Sequence, residues 1–67
     1  MAKKIYLWKV YTTALKVEDG FENYDATIVT DTDDIAKAAD VFKQAYSDRL
    51  ENRRISKIEA CGVAYAE

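Results

Sequence analysis

The stretch TDDIAKAADVFKQAYSDRL, residues 32–50, decides the fold. Ile35, Ala38, Ala39, Phe42, Ala45, Tyr46 and Leu50 recur every three or four residues, so on a helix they form one apolar stripe. The helix start reads as an N-cap on Thr32, with Asp31 as competitor, and Asp33 and Asp34 then face the positive end of the helix dipole. Arg49, Arg53 and Arg54 follow at the far end, where the dipole favours cations, and Asn52 is placed to end the helix in a left-handed conformation.

The segments on either side read as strands. Residues 4–15 hold Ile5, Tyr6, Trp8, Val10, Tyr11, Thr12 and Thr13, β-branched and aromatic types that suit a pleated, half-buried surface. Glu18-Asp19-Gly20 supplies an Asp-Gly turn signal, and residues 24–30 return as the second strand. Residues 55–65 are the third, with Ile58 and Ala60 alternating against Lys57 and Glu59. Gly62 marks a bulge or a close backbone approach, beyond which the alternation is open.

Connection rules fix how these pieces assemble. The first two strands pair as an antiparallel hairpin, and a right-handed crossover through the helix sets the last strand beside the first. The predicted fold is α+β, β-β-α-β, with a three-stranded antiparallel sheet in the order 2-1-3 and one helix on one face. Tyr6, Trp8 and Val10 then face the helix, while Ile5, Leu7 and Tyr11 face away. One helix covers one side of such a sheet, so the other side is left open. Five Tyr and one Trp exceed what one small core encloses. About half of Tyr6, Trp8, Tyr24 and Tyr46 are expected to lie over the core, with Leu7, Tyr11 and Tyr65 forming an interface on the open face.

Charge is segregated along the chain. Residues 17–36 carry seven carboxylates (Glu18, Asp19, Glu22, Asp25, Asp31, Asp33 and Asp34) and no Lys or Arg, although the formal net charge is only −2. Asp33 and Asp34 fit a helix start, but the hairpin acids have no basic neighbours in sequence. The run therefore reads as a negative patch aimed at a partner protein with a basic surface, where it speeds association and stands in for a phosphate backbone.

The residue inventory disfavours most chemistry. There is no histidine, so the commonest general base and imidazole zinc ligands are lacking, and Ser47, Ser56 and Cys61 have no usual activating partner. Cys61 reads as a semi-buried strand residue. Counted from Asp31, the sixth and twelfth places of a calcium loop would be Ala36 and Phe42, which do not fit. Gly20 and Gly62 are isolated, so no phosphate-binding glycine loop forms. No cofactor or metal is expected, and the chain reads as a non-enzyme. Arg49, Arg53, Arg54 and Lys57 form the one basic cluster, but a pI near 5.0 disfavours nucleic acid.

Sixty-seven residues are expected to make one domain spanning 1–67, with a core that buries roughly 60% of the unfolded surface. One cysteine forms no internal disulfide, which points to a reducing compartment. The apolar run after Lys3 and Lys4 stops at Lys9, too soon for a signal peptide, and no stretch approaches the ~20 residues of a membrane helix. The expected location is cytoplasmic, with no membrane partner.

In size, in its strand–hairpin–helix–strand order, in Asp31-Thr32-Asp33-Asp34-Ile35-Ala36 before the helix, and in a closing strand with Ile55, Ile58 and a lone Cys61, the chain resembles small bacteriophage proteins that disable host enzymes, such as RNA polymerase inhibitors and anti-CRISPR proteins. The resemblance is one of pattern and carries over no individual residue. It implies a non-enzymatic inhibitor that blocks a nucleic-acid channel in the host cytoplasm. The alternatives are a homodimeric structural or regulatory module pairing through the open sheet face, and a weak nucleic-acid binder using the basic helix end.

Overall fold

The structure, a computed structural model, describes residues 3–15 and 22–66. The elements are β1 (Lys3–Ala14), β2 (Glu22–Thr30), α1 (Ile35–Ala45), a short 3-10 turn (Ser47–Leu50) and β3 (Arg53–Ala66). Both sheet pairings are antiparallel and the strand order is β2-β1-β3, as the connection rules predict. The Asp19-Gly20 turn lies outside the described residues.

The core sits between α1 and one face of the sheet. Trp8, Val10, Ile28, Ala38 and Phe42 are buried together, with Tyr6, Ala26, Tyr46, Leu50, Ile55 and Ile58 packed at their margin. Phe42 and Val10 are completely enclosed, and the Phe42 ring stacks on Tyr46 with centroids 5.1 Å apart. Trp8 buries its indole without orphaning its N–H, which donates to Thr30 Oγ1 at 2.8 Å. The Thr30 hydroxyl in turn donates to the Thr32 carbonyl at 2.6 Å. Both side-chain donors are thereby satisfied.

The helix differs from expectation at both ends. Its N-cap is Asp34, whose Oδ1 accepts from the Ala36 N–H at 2.9 Å, rather than Thr32 or Asp31. Thr32 instead accepts from the Asp34 N–H, one step outside the cap. Starting two residues late leaves Asp33 outside the helix and Ile35 54% exposed at its first position, off the buried stripe. The α-helix stops at Ala45 with Tyr46 as its C-cap, and a 3-10 turn carries the chain to Leu50. No described residue has positive φ, so Asn52 does not end it left-handed. Arg53 and Arg54 belong to β3, not to the helix end.

Three bulges set which side chains reach which face. Asp25 is an extra residue on β2, between the partners of Val10 and Tyr11. Ser56 and Cys61 are extra residues on β3. Each extra residue reverses the alternation beyond it. Ile55 and Ile58, three apart, both reach the core margin because Ser56 intervenes. Tyr24 is turned away from the helix to pair beside Tyr11. Cys61, exposed rather than semi-buried, brings Gly62 over Leu7 on the open face, where an added Cβ would sit 3.7 Å from Leu7 Cδ1.

Candidate interaction surface

The helix is short for the sheet it covers. Eleven residues of α1 span about 16 Å at 1.5 Å per residue. The fourteen of β3 extend to about 46 Å at 3.3 Å per residue. One sheet face is bare of any described element, and the far end of β3 is bare on both faces.

The bare face has two zones. In the first, Ile5 and Leu7 of β1 lie between Val29 of β2 and Ala64 of β3. Val29 is 48% exposed while its neighbours are half-buried by one another, so this zone is apolar and solvent-facing. The second zone is centred on Tyr11. The Tyr24 ring meets it edge-on with centroids 5.7 Å apart, and the Lys57 ammonium lies 4.4 Å from its centroid. Lys57 Nζ also stands 3.3 Å from Glu22 and 3.7 Å from Glu59. The Ser56 hydroxyl donates to Glu22 Oε2 at 2.7 Å. This bond and the neighbouring Lys57 hold the Glu22 carboxyl below its ordinary range, while Glu22 chiefly holds the Lys57 ammonium above its own. Lys57 is thus paired with two glutamates on this face, where the register also sets Lys9 and Arg54.

Leu7 and Tyr11 therefore lie on the open face, but Tyr65 does not. The register pairs Tyr65 with Lys4, on the same side as Tyr6 and Trp8, because the bulge at Cys61 reverses the alternation that would have turned it outward. It stands beyond the reach of α1 and is 68% exposed.

The acidic run does not form one patch. Glu22 begins the nine-residue β2 and Asp31 follows its last residue, so the two lie about 30 Å apart by the strand rise. Asp25 is turned inward, its side chain 6% exposed. Its Oδ2 accepts from the buried Thr12 hydroxyl at 2.8 Å, and Arg49 lies 3.5 Å from its Oδ1. Thr12 in turn accepts from Arg53 Nε at 2.6 Å, and Arg53 Nη2 reaches the Thr12 carbonyl at 2.8 Å. Asp25 is thus turned into the fold rather than toward solvent. Asp31 is 3.8 Å from Lys3, Asp34 caps the helix, and Asp31, Asp33 and Asp34 are all exposed at one end of the molecule. Glu18 and Asp19 lie outside the described residues. The basic cluster is dispersed in the same way. Arg49 and Arg53 serve the Asp25–Thr12 network, Lys57 serves Tyr11 and the glutamates, and Arg54 stands opposite Thr13 on the same open face as Lys57.

Tyr24, considered for the core, Lys57, read as part of the basic cluster, and Val29, given no role by the sequence, join this surface. The one available signal was Ile55 and Ile58, whose spacing is incompatible with a regular one-faced strand and betrays a bulge between them.

Among the described residues no helix is long and apolar enough to cross a membrane, and no group of three or more Cys, Asp or Glu is placed to hold a metal ion. Compared with protein-family models, with curated proteins and with solved structures, the chain matches none.

Proposed function

We propose that this chain is a small non-enzymatic interaction module that docks on a partner protein through the open face of its sheet. The observation that carries this reading is the uncovered zone of Ile5, Leu7, Val29 and Ala64 beside the ordered Tyr11–Tyr24–Lys57 cluster. Contiguous apolar surface left open on a soluble fold marks a contact site, and Tyr offers large area with few rotatable bonds. The apolar zone flanked by the tyrosines fits a flat partner surface that is apolar at its centre. Covering such a surface inhibits or modulates whatever the partner does there.

A second reading, docking on a basic, nucleic-acid-handling protein, is favoured by Asp31, Asp33 and Asp34. These stand exposed within four residues, with Lys3 their one cation at ion-pair distance among the described residues. The internal pairing of Glu22 and the burial of Asp25 leave this reading with fewer acids than the sequence offers.

Capture from a cell lysate with the parent chain, with Val29→Lys and with the Asp31, Asp33 and Asp34 carboxylates changed to amides separates the two. The first reading expects a protein that Val29→Lys loses and the amide variant retains. The reverse pattern supports the acidic reading, and recovery of the chain's own copies alone, lost with Val29→Lys, assigns the open face to homodimerisation.

A further inference from the structure

The outer edge of β3 is unlike the rest of the molecule's perimeter. The strand order β2-β1-β3 leaves it without a described neighbour. An open edge presents a row of backbone donors and acceptors that pair with any compatible strand, and folds usually blunt it with charges, bulges, Pro or a covering element. The β2 edge is guarded: α1 lies nearer to it than to β3, and Glu22, Asp25 and Asp31 occur along it. The first half of β3 carries Arg53, Arg54, Lys57, Glu59 and the Ser56 bulge. Residues 60–66, ACGVAYA, hold no charge and no Pro. The Cys61 bulge bounds this segment on one side, and regular pairing with β1 resumes from Gly62 to Ala66. Val63, 49% exposed, and Tyr65 project beyond α1, so neither the edge nor that face is covered.

We propose that residues 62–66 of β3 pair antiparallel with the same segment of a second copy, joining two sheets into one of six strands. A second copy is the occupant the chemistry favours. An antiparallel pair of identical strands is related by a two-fold axis, so the surface need only be complementary to itself. A segment without charge meets itself without like-charge opposition, which the first half of β3 would suffer. The axis falls at Ala64, because that register sets Val63 of one copy opposite Tyr65 of the other, a β-branched and aromatic pair on the helix side of the sheet but beyond the reach of α1. The axis is perpendicular to the sheet, so both open faces point the same way and the two Ile5–Leu7–Ala64 zones become neighbours. This inference stands apart from the open-face reading, since it uses the edge of the sheet and not its face.

Sedimentation equilibrium of the full chain, with Val63→Lys, Tyr65→Lys and Val29→Lys variants, tests it. The expected result is a dimer that Val63→Lys and Tyr65→Lys shift at least tenfold toward monomer and Val29→Lys leaves intact. Tyr65 lies outside the core, so its variant reports association even where Val63→Lys disturbs folding. In a Cys61→Ser, Ala64→Cys chain, oxidation should link the two copies, because residues facing each other across the axis have the Cα separation a disulfide needs. A chain monomeric at about 1 mM overturns the proposal, as does a dimer that survives both lysine edge variants. A dimer that fails to cross-link at Ala64→Cys overturns the register.

Discussion

Lys57 holds its ammonium 4.4 Å from the centre of the Tyr11 ring while two carboxylates, Glu22 and Glu59, stand within 3.7 Å of the same nitrogen. These residues come from all three strands, so the cluster exists only once the sheet is assembled. It fixes the orientation of a large aromatic side chain on a face otherwise open to solvent. On the proposed reading, ordering that side chain in advance lowers the entropy cost of docking a partner there.

The Glu22–Lys57 pair gives stability a defined dependence on pH. Glu22 titrates below its ordinary value of 4.5 in the folded chain, so its contribution is present above that value and is lost as pH falls through the depressed one. Lys57 titrates above 10.5, so its contribution is complete below that value and is lost as pH rises through the raised one. Glu22→Gln should lower stability slightly near neutral pH and flatten the acid side of a stability–pH profile, and Lys57→Met should do the same while flattening the alkaline side. Profiles identical to the parent's would contradict the pairing.

Phe42→Ala should cost about 3–5 kcal/mol, because its ring is fully enclosed between helix and sheet. In so small a chain that loss approaches the whole stability. Chemical denaturation measures it directly, and an unchanged midpoint would remove Phe42 from the core.

Two aspartates six residues apart should behave differently. Asp25→Ala strips the buried Thr12 hydroxyl of its acceptor and Arg49 of its counter-ion, and should destabilise by about 1–3 kcal/mol. Asp31→Ala breaks only an exposed ion pair with Lys3 and should change stability by less than about 0.5 kcal/mol. Equal effects would contradict the placement of Asp25 inside the fold.

The helix start offers a third comparison. Asp34→Ala should cost about 1 kcal/mol through loss of the cap to Ala36, and Asp33→Ala markedly less. Thermal unfolding followed by circular dichroism ranks the two, and the opposite order would return the cap to an earlier residue.

These contrasts show which parts of the molecule are legible in the sequence. Element order and strand order follow from periodicity and connection rules, because the helix stripe and the first strand's alternation are local signals. The bulges at Asp25, Ser56 and Cys61 are not local. Each results from fitting one strand against β1, and each moves a side chain across the sheet, taking Tyr24 to the open face and Tyr65 away from it. Linear charge is equally silent about pairing. Glu22 finds Ser56 and Lys57 more than thirty residues away, and Asp25 finds Arg49. Within Thr32-Asp33-Asp34 all three residues are good caps, so the choice of Asp34 rests on how β2 delivers the chain to the helix.

The central claim, that the open face and not the acidic run makes the partner contact, is tested most directly by association and dissociation rates with a captured partner, measured at low and high salt. Tyr11→Ser should speed dissociation at least about tenfold while association stays nearly independent of salt. Association that slows steeply with salt and with amide substitution of Asp31, Asp33 and Asp34, while Tyr11→Ser dissociates as the parent does, would contradict it.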